Sequence, residues 1–392
     1  MIRLNATVSP LLLQVIEEAV SIKGIPGPRL ARAVAGLSQL FTKEREAVSQ
    51  GYLDDPVLAA AYLSYFLPVN LSKIQVLLDE MPVSEDNRRL SVLDLGSGPG
   101  TGALAVLDWW YRRRSTTVLS VVALDTVPAA LRQASLLWGG YCHAAGITTA
   151  SLQTGEGDLE RRAWLEPVKE RAPFDLVILA NCLNEMFSDA KDPIGARTGL
   201  VAEVLALLAP HGTMMIIEPA LRETSRALHQ VRDRLLQENR CTVHSPCLHE
   251  NSCPALVNPY DWCHEERAWE PPESIRAIDK EVGFIKDALK FSYVLLRKDG
   301  KTIVERRPDH YRVVSDLRVM KGEKRAWLCN GQGRQEVGRQ DRLASLQNEA
   351  FDQWHRGAIV QIERIVRKEK GGKVSALGRI EQDATVKIIR PT

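Results

Sequence analysis

Two stretches of this chain carry residue types at spacings that do chemistry. Residues 91–103 read SVLDLGSGPGTGA, an apolar run ending in Asp94, followed by Gly96, Ser97, Gly98, Gly100 and Gly102. A strand, a glycine-rich turn and a helix start of this kind bring backbone N–H groups close to a ligand, because residues without a Cβ permit both the approach and the unusual φ/ψ values. Residues 241–264 read CTVHSPCLHENSCPALVNPYDWCH and hold Cys241, Cys247, Cys253 and Cys263; the other cysteines are Cys142, Cys182 and Cys329. An odd total of seven, behind a start that lacks the pattern of a secretory leader, argues against a disulfide framework and for metal ligation or catalysis. Thiolates this dense in a Pro- and Asn-rich loop read as ligands, since sulfur ligation fixes a loop that has no apolar core of its own. Paired zinc ligands usually stand two to four residues apart, a spacing absent here unless His249 or His264 takes part. Iron–sulfur clusters accept wider spacings and take four thiolates.

The elements that must position these residues follow from periodicity. Residues 1–87 show apolar residues at helical spacing in Leu11 to Val20, Leu30 to Leu40 and Val57 to Leu78, punctuated by Pro26, Pro28 and Asp54-Asp55-Pro56. They predict a helical cap over the next segment, with no chemistry of its own. From 88 to 240 strands alternate with helices: Ser91 to Leu95, Leu119 to Leu124, Ser151 to Thr154, Asp175 to Ala180 and Thr213 to Glu218 read as strands. That alternation predicts a parallel sheet covered on both faces, with its ligand beyond the carboxyl ends of the strands. No run of about 18 apolar residues is present, so no membrane span is expected.

Three carboxylates acquire roles from this arrangement. Asp94 closes the first strand, Asp125 ends the second, and Asp158 follows the third. A carboxylate ending the second strand accepts the ribose hydroxyls of an adenosine cofactor, which suits a nicotinamide dinucleotide as well as S-adenosylmethionine. An acid two residues before the first glycine suits a sulfonium ligand with a free amino group and repels a pyrophosphate, which favours S-adenosylmethionine. After the fourth strand come Asn181, Cys182, Leu183, Asn184 and Glu185. Asn181, Asn184 and Glu185 are the candidates for work at the reacting end, and Cys182 reads as a small buried hydrophobe.

The ordered set DLGSGPG, the Asp125 strand end, Asp158, FDLVILANCLNEM and HGTMMIIEP resembles the motifs of class I S-adenosylmethionine-dependent methyltransferases. With SPCLHENSCP, DWCH and the KFSYVLLR strand at Lys290 to Arg297 added, most of the chain resembles the methyltransferase-like family associated with the mitochondrial small ribosomal subunit, which has bacterial members. The resemblance implies an α/β protein: a Rossmann-like sheet at 88–240, an N-terminal helical region at 1–87, and a cysteine-rich iron–sulfur insertion at 241–289. The last core strands and a fourth cysteine at 290–330, then a basic C-terminal β extension at 331–392, complete it. It implies S-adenosylmethionine held by Asp94, Gly96, Ser97, Gly98, Gly100, Asp125, Asp158 and Asn181. It also implies a [4Fe-4S] cluster on Cys247, Cys253, Cys263 and Cys329, with Cys241 as the rival fourth ligand and zinc as the alternative metal. The implied activity is methyl transfer to small-subunit ribosomal RNA or a ribosomal precursor, by a monomer working away from membranes in the bacterial cytoplasm or the mitochondrial matrix. A non-catalytic assembly factor and a zinc-bearing small-molecule methyltransferase are the alternatives.

Charge is unevenly spread. From Phe291 onward 22 Lys and Arg face 13 Asp and Glu, although the whole chain carries only +2. Such a surplus fits phosphate contacts, with Arg306, Arg307, Arg312, Arg318, Lys321, Lys324 and Arg325 as the candidate group. Trp354 and alternating apolar residues in 358–366 and 374–389, around the sequence KEKGGK, predict a small antiparallel unit with a two-glycine turn.

Overall fold

The computed structural model describes residues 8–42, 51–82 and 88–392; the reading of the first seven residues and the end of the helical region at 87 lie outside them. The chain divides into two compact units. One runs to Leu221 and includes Ala268–Leu289; the other comprises Arg222–Arg267 and Lys290–Thr392.

The first unit opens with helices α1 (Pro10–Ser21), α2 (Gly27–Thr42), α3 (Pro56–Ala61) and α4 (Leu67–Leu78). Their starts are written in the sequence. Ser9 Oγ accepts the Leu12 N–H at 3.2 Å ahead of Pro10, and Asp55 Oδ1 accepts the Val57 and Leu58 N–H groups at 2.7 and 3.0 Å ahead of Pro56. A π-helical turn, Tyr62–Phe66, joins α3 to α4. Residues Pro56–Leu78 are, by length and composition, a helix that could cross a membrane, although no such run was expected; 61% of its apolar 18-residue window is buried inside the protein. A core helix meets the same criterion.

Five parallel strands follow: β1 (Arg89–Leu95), β2 (Val118–Asp125), β3 (Ala150–Glu156), β4 (Phe174–Ala180) and β5 (Leu208–Pro219), hydrogen-bonded in the order β3-β2-β1-β4-β5. Leu93 lies opposite Val122 on one side and Val177 on the other. Val92, Leu93 and Leu95 are wholly buried, which is why β1 reads as a continuous apolar run rather than an alternation. Helices α5 (Thr101–Arg112), α6 (Pro128–Ala145), α7 (Leu165–Lys169) and α8 (Pro193–Leu205) form the crossovers. The α8 start is set by Asp192, whose side chain accepts the Gly195 N–H at 2.9 Å ahead of Pro193. Strand order reverses between β1 and β4, which opens a crevice at their carboxyl ends.

One buried side chain ties the helical region to this sheet. Asp108 on α5 accepts the Ser9 N–H (3.1 Å), Gln75 Nε2 (2.7 Å), Tyr141 Oη (2.6 Å) and Arg112 Nε (3.1 Å). Four donors from four segments converge on a carboxylate with no exposed surface.

The second unit holds α9 (Arg222–Gln237), β6 (Thr242–Ser245), β7 (Glu265–Ala268) and β8 (Ala288–Arg297), with β6 antiparallel to β8. Its larger sheet comprises β9 (His310–Val313), β10 (Arg318–Met320), β11 (Glu323–Asn330), β12 (Gly333–Gln340), β13 (Ile359–Ile362), β14 (Val366–Lys370), β15 (Lys373–Arg379) and β16 (Val386–Arg390). The order is β14-β15-β12-β11-β9-β13-β16, with β10 on β11. Its core gathers Val313, Leu328, Val337, Ile380 and the Phe351–Trp354 pair, whose rings stand 4.4 Å apart. The expected turn forms between β14 and β15, with Gly371 and Gly372 at φ +59° and +72°.

The boundary expected at 330/331 falls at the turn of a β-hairpin. Cys329 pairs with Arg334 across a β11–β12 hairpin, so the fourth cysteine and the C-terminal strands share one sheet. Alternate burial along Glu323–Asn330 shows a strand pattern as clear as the one at 358–389, from which it had been separated.

Asp108→Ala is predicted to cost about 3–5 kcal/mol, because it leaves three buried donors and the exposed Arg112 without their acceptor. The change in denaturant midpoint measures it; a shift equivalent to less than about 1 kcal/mol would show that the clamp is dispensable.

Candidate functional site

The glycine turn occupies the β1–β4 reversal, and Asp94 braces it from inside. Asp94 is 1% exposed; its Oδ2 accepts the Ser97 hydroxyl at 2.6 Å and the Ala103 N–H at 2.9 Å, and the Gly102 N–H also bonds to this carboxylate. It therefore caps the first turn of α5, a use distinct from touching the ligand. Two glycines are required by this geometry. A Cβ on Gly102 would collide with the Asp94 carboxylate, and one on Gly96, where φ is +66°, would lie 2.7 Å from Cys182 Cβ. Burial pushes the Asp94 carboxyl up to about 6, against the hydrogen bonds from Ser97 and Ala103 that lower it.

Asp125 stands half-buried at the end of β2. Its Oδ2 accepts the Gly98 N–H at 2.7 Å and its Oδ1 the Val127 N–H at 2.9 Å. The turn and this carboxylate are thus joined, and burial raises the Asp125 pKa. Asp158 lies on the exposed exit of β3, where it accepts the Glu160 N–H at 2.9 Å and pairs with Arg161 at 3.2 Å.

At the end of β4, Asn181 takes a left-handed conformation (φ +60°) and donates its N–H to Ile217 O at 2.8 Å. Asn184 donates through its backbone N–H (3.2 Å) and its Nδ2 to Glu218 on β5, a carboxylate 1% exposed. Arg197 holds the Asn184 and Met186 carbonyls, each at 2.9 Å. Asn184 Oδ1 is buried and has no protein donor. Glu185 is exposed beside this pair. The Cys182 thiol is raised well above its ordinary range, first by burial and then by Glu218, Glu185, Asp94 and Asp125, which favours its protonated form. Glu218 and Arg197 were missed as site residues; Glu218 was visible as the acid closing HGTMMIIEP, Arg197 only through its helix.

In the other unit, one face of α9 holds the cysteine loop. Arg226 donates to the carbonyls of Ala255 (3.1 Å), Leu256 (3.1 Å), Asn258 (2.8 Å) and Asp261 (2.8 Å). His229 Nε2 meets Cys263 O at 3.3 Å; the buried Arg232 donates to His249 O and Asn251 O, each at 2.6 Å; Asp233 accepts the Cys253 N–H at 2.8 Å. The spacing of these four in RALHQVRD places them along one helical stripe, a signal readable once the loop's need for donors is recognised.

Cys247, Cys253, Cys263 and Cys329 lie near enough to influence one another. Cys247 raises the thiols of Cys253, Cys263 and Cys329 after burial has done so, and burial brings Cys263 and Cys329 up to about 12. Arg232 and Arg334 oppose this at Cys329. Cys329 Sγ also lies 3.7 Å from His249 Nε2, and Asn251 Nδ2 reaches Gly331 O at 3.0 Å, which ties the β11–β12 turn to the loop. Cys241 answers instead to burial, Glu250 and Arg232. Among the described residues, no group of three or more His, Cys, Asp or Glu side chains stands in a geometry that holds a metal ion.

The candidate basic face is largely spent on internal pairs. Arg306 pairs with Glu250, Arg307 with Asp309, Arg318 with Glu336, Lys324 with Asp352 and Arg325 with Glu323, while Arg312 is buried on Glu265. Lys321 is exposed. The group therefore serves the fold of this unit before it serves a phosphate backbone.

Two outcomes are expected. The Asp94 carboxyl titrates near 6 when folded and near 3.8 when unfolded, so its stabilising contribution is full below 3.8 and is lost as pH rises through 6. Relative to Asp94→Asn, the wild type should lose about 3 kcal/mol of stability across that window; parallel pH profiles would contradict it. Arg226→Ala should speed limited proteolysis within 254–262 by about tenfold or more, with the strands unaffected by circular dichroism.

No curated protein matches this chain. Among solved structures, an O-methyltransferase family protein from Burkholderia thailandensis aligns at 15% identity and TM-score 0.35, covering 67% of this chain and 64% of that one. The CurJ carbon methyltransferase aligns at 17% and 0.35 over 72% and 70%, and an O-methyltransferase family 2 protein from Planctomyces limnophilus at 18% and 0.32 over 62% and 59%. The family described as "Mitochondrial small ribosomal subunit Rsm22" matches residues 56–340, a span that takes in the glycine turn, the α9 stripe and all four clustered cysteines. The chain belongs to the Rsm22 family.

Proposed function

We propose that this protein binds S-adenosylmethionine at the glycine turn, carries a [4Fe-4S] cluster on Cys247, Cys253, Cys263 and Cys329, and methylates small-subunit ribosomal RNA during assembly. The observation that carries the reading is a glycine turn braced at the reversal of a parallel sheet, in a chain of a small-subunit family. When bound, the cofactor supplies an electrophilic methyl group on sulfur. Asp125 is suited to the ribose hydroxyls, and Gly96, Ser97, Gly98 and Gly100 to close backbone approach. Asp158 borders the adenosine end, and Asn181 the methionyl end. Asn184 Oδ1, which lacks a donor, is suited to accept an N–H from an acceptor or from the cofactor's amino group. Glu185 stands exposed at that mouth as a proton acceptor.

For the cluster, mutual proximity of four thiols and the facing guanidinium of Arg232 support the reading, since a thiolate-bound cluster is anionic and the buried arginine offsets its charge. Zinc on the same loop is the alternative. The work would take place where small subunits are built, in the mitochondrial matrix or the bacterial cytoplasm.

A second reading, an assembly factor that uses cofactor and cluster as folding elements, is favoured by how fully Asn184 is engaged with Glu218 and Arg197. A ligand bound to the native state alone stabilises it without chemistry. The two readings part in one assay. Methyl-labelled cofactor with immature small subunits should transfer label to RNA, and Asp125→Ala should lower incorporation by about tenfold or more, equivalent to losing one charge-assisted contact. No label from the wild type would overturn the enzyme and favour the factor. In anaerobically purified protein, Cys329→Ser should lose iron and sulfide while Cys241→Ser keeps both; the reverse would reassign the fourth ligand.

A further inference from the structure

The N-terminal helical region, expected to be a bland cap, sends polar side chains to the glycine turn. Pro68 has no N–H to complete the ladder, and the helix widens ahead of it: the Leu67 N–H reaches back five residues to Tyr62 O. Such widened turns occur often at functional sites because the extra residue redirects side chains. Here the Tyr62 hydroxyl hydrogen-bonds to Thr101, the first residue of α5, and to Asn70. Asn70 Oδ1 in turn accepts Lys73 Nζ at 3.0 Å. A chain of three side chains thus leads from a lysine to the residue that follows Gly100.

Lys73 is held in an uncommon way. It is largely buried, its hydrogen-bond partner is a neutral amide, and Lys286 faces it, so burial first and the second ammonium next push its pKa down to about 7. A cation in this state is stabilised by an incoming anion. The acidic wall beside the turn is formed by Asp125 and Glu185, which act on both Cys182 and Tyr62, while Asp94 and Glu218 are sealed behind it, each 1% exposed. A ligand lying between an acidic wall and a buried ammonium must present both charges, which is the chemistry of an α-amino acid end.

We propose that Lys73, oriented by Asn70 and joined to the turn through Tyr62, is the subsite for the α-carboxylate of the bound cofactor. This rests on the reading that the turn holds S-adenosylmethionine. Without such a group, the carboxylate of that ligand would meet Asp125 and Glu185 with no compensating charge. The ammonium of the ligand faces the acidic wall, and Tyr62 donates to or accepts from the same end.

The test compares S-adenosylmethionine with decarboxylated S-adenosylmethionine, which keeps the sulfonium and amine and lacks only the carboxylate. Calorimetric titration of the full chain should show a preference of about thirtyfold for the carboxylated ligand. Lys73→Met should abolish the preference, weakening S-adenosylmethionine about thirtyfold and leaving the decarboxylated ligand within about twofold. Tyr62→Phe, which preserves the ring and packing, should lower the preference by about threefold to tenfold. Equal affinity for both ligands in the wild type, or equal weakening of both in Lys73→Met, would overturn the subsite. Binding of neither ligand by the wild type would overturn the cofactor reading itself, a distinct result because no preference is then measured.

Discussion

A carboxylate sealed inside the protein holds the glycine turn in shape. Asp94 is taken up by Ser97 and by the first N–H groups of α5, so the turn from Gly96 to Gly100 is braced by the protein's own groups. Its burial works against ionisation, and the hydrogen bonds it accepts work for it. The balance keeps an acid near neutrality in a place where a helix start demands an acceptor. Further along the same helix, Asp108 gathers donors from Ser9, Gln75 and Tyr141. One helix is thus fixed at its start by the turn and near its end by the helical region, and that fixes Tyr62 against Thr101.

The cysteine loop follows a different principle. It has little regular structure, so its carbonyls need donors, and α9 provides them as guanidiniums: Arg226 for four carbonyls and Arg232 for two. Positive charge brought in for the backbone then also faces the thiols.

Much of this was legible in the residues. The five strands, the glycine turn and the two-glycine hairpin followed from apolar runs and from glycines at positive φ, which are local and strongly patterned. The ends of β1 and β2 put Asp94 and Asp125 beside the turn, as spacing required. What Asp94 does there was not legible: an acid before a glycine turn can face the ligand or cap the next helix, and only packing decides. The same limit hid Lys73, Asn70 and Tyr62, which read as an amphipathic helix until a π turn aims them at Thr101. The pairing of the basic candidates was hidden for a related reason. Composition counts charges and does not see partners, and Glu250, Glu265, Glu323, Glu336 and Asp352 pair with Arg306, Arg312, Arg325, Arg318 and Lys324. The β11–β12 hairpin around 330/331 was not legible, because a strand that joins two segments looks like the end of one and the start of the other.

The central claim, that the turn braced by Asp94 is where S-adenosylmethionine binds, is most directly tested by equilibrium dialysis with methyl-labelled cofactor. The account predicts saturable binding of about one equivalent per chain, as expected of one switch-point crevice. It also predicts loss of binding in Gly102→Ala, whose methyl group would displace the Asp94 carboxylate, with the cysteine loop unchanged in its resistance to proteolysis. No saturable binding by the wild type, or full binding by Gly102→Ala, would contradict it.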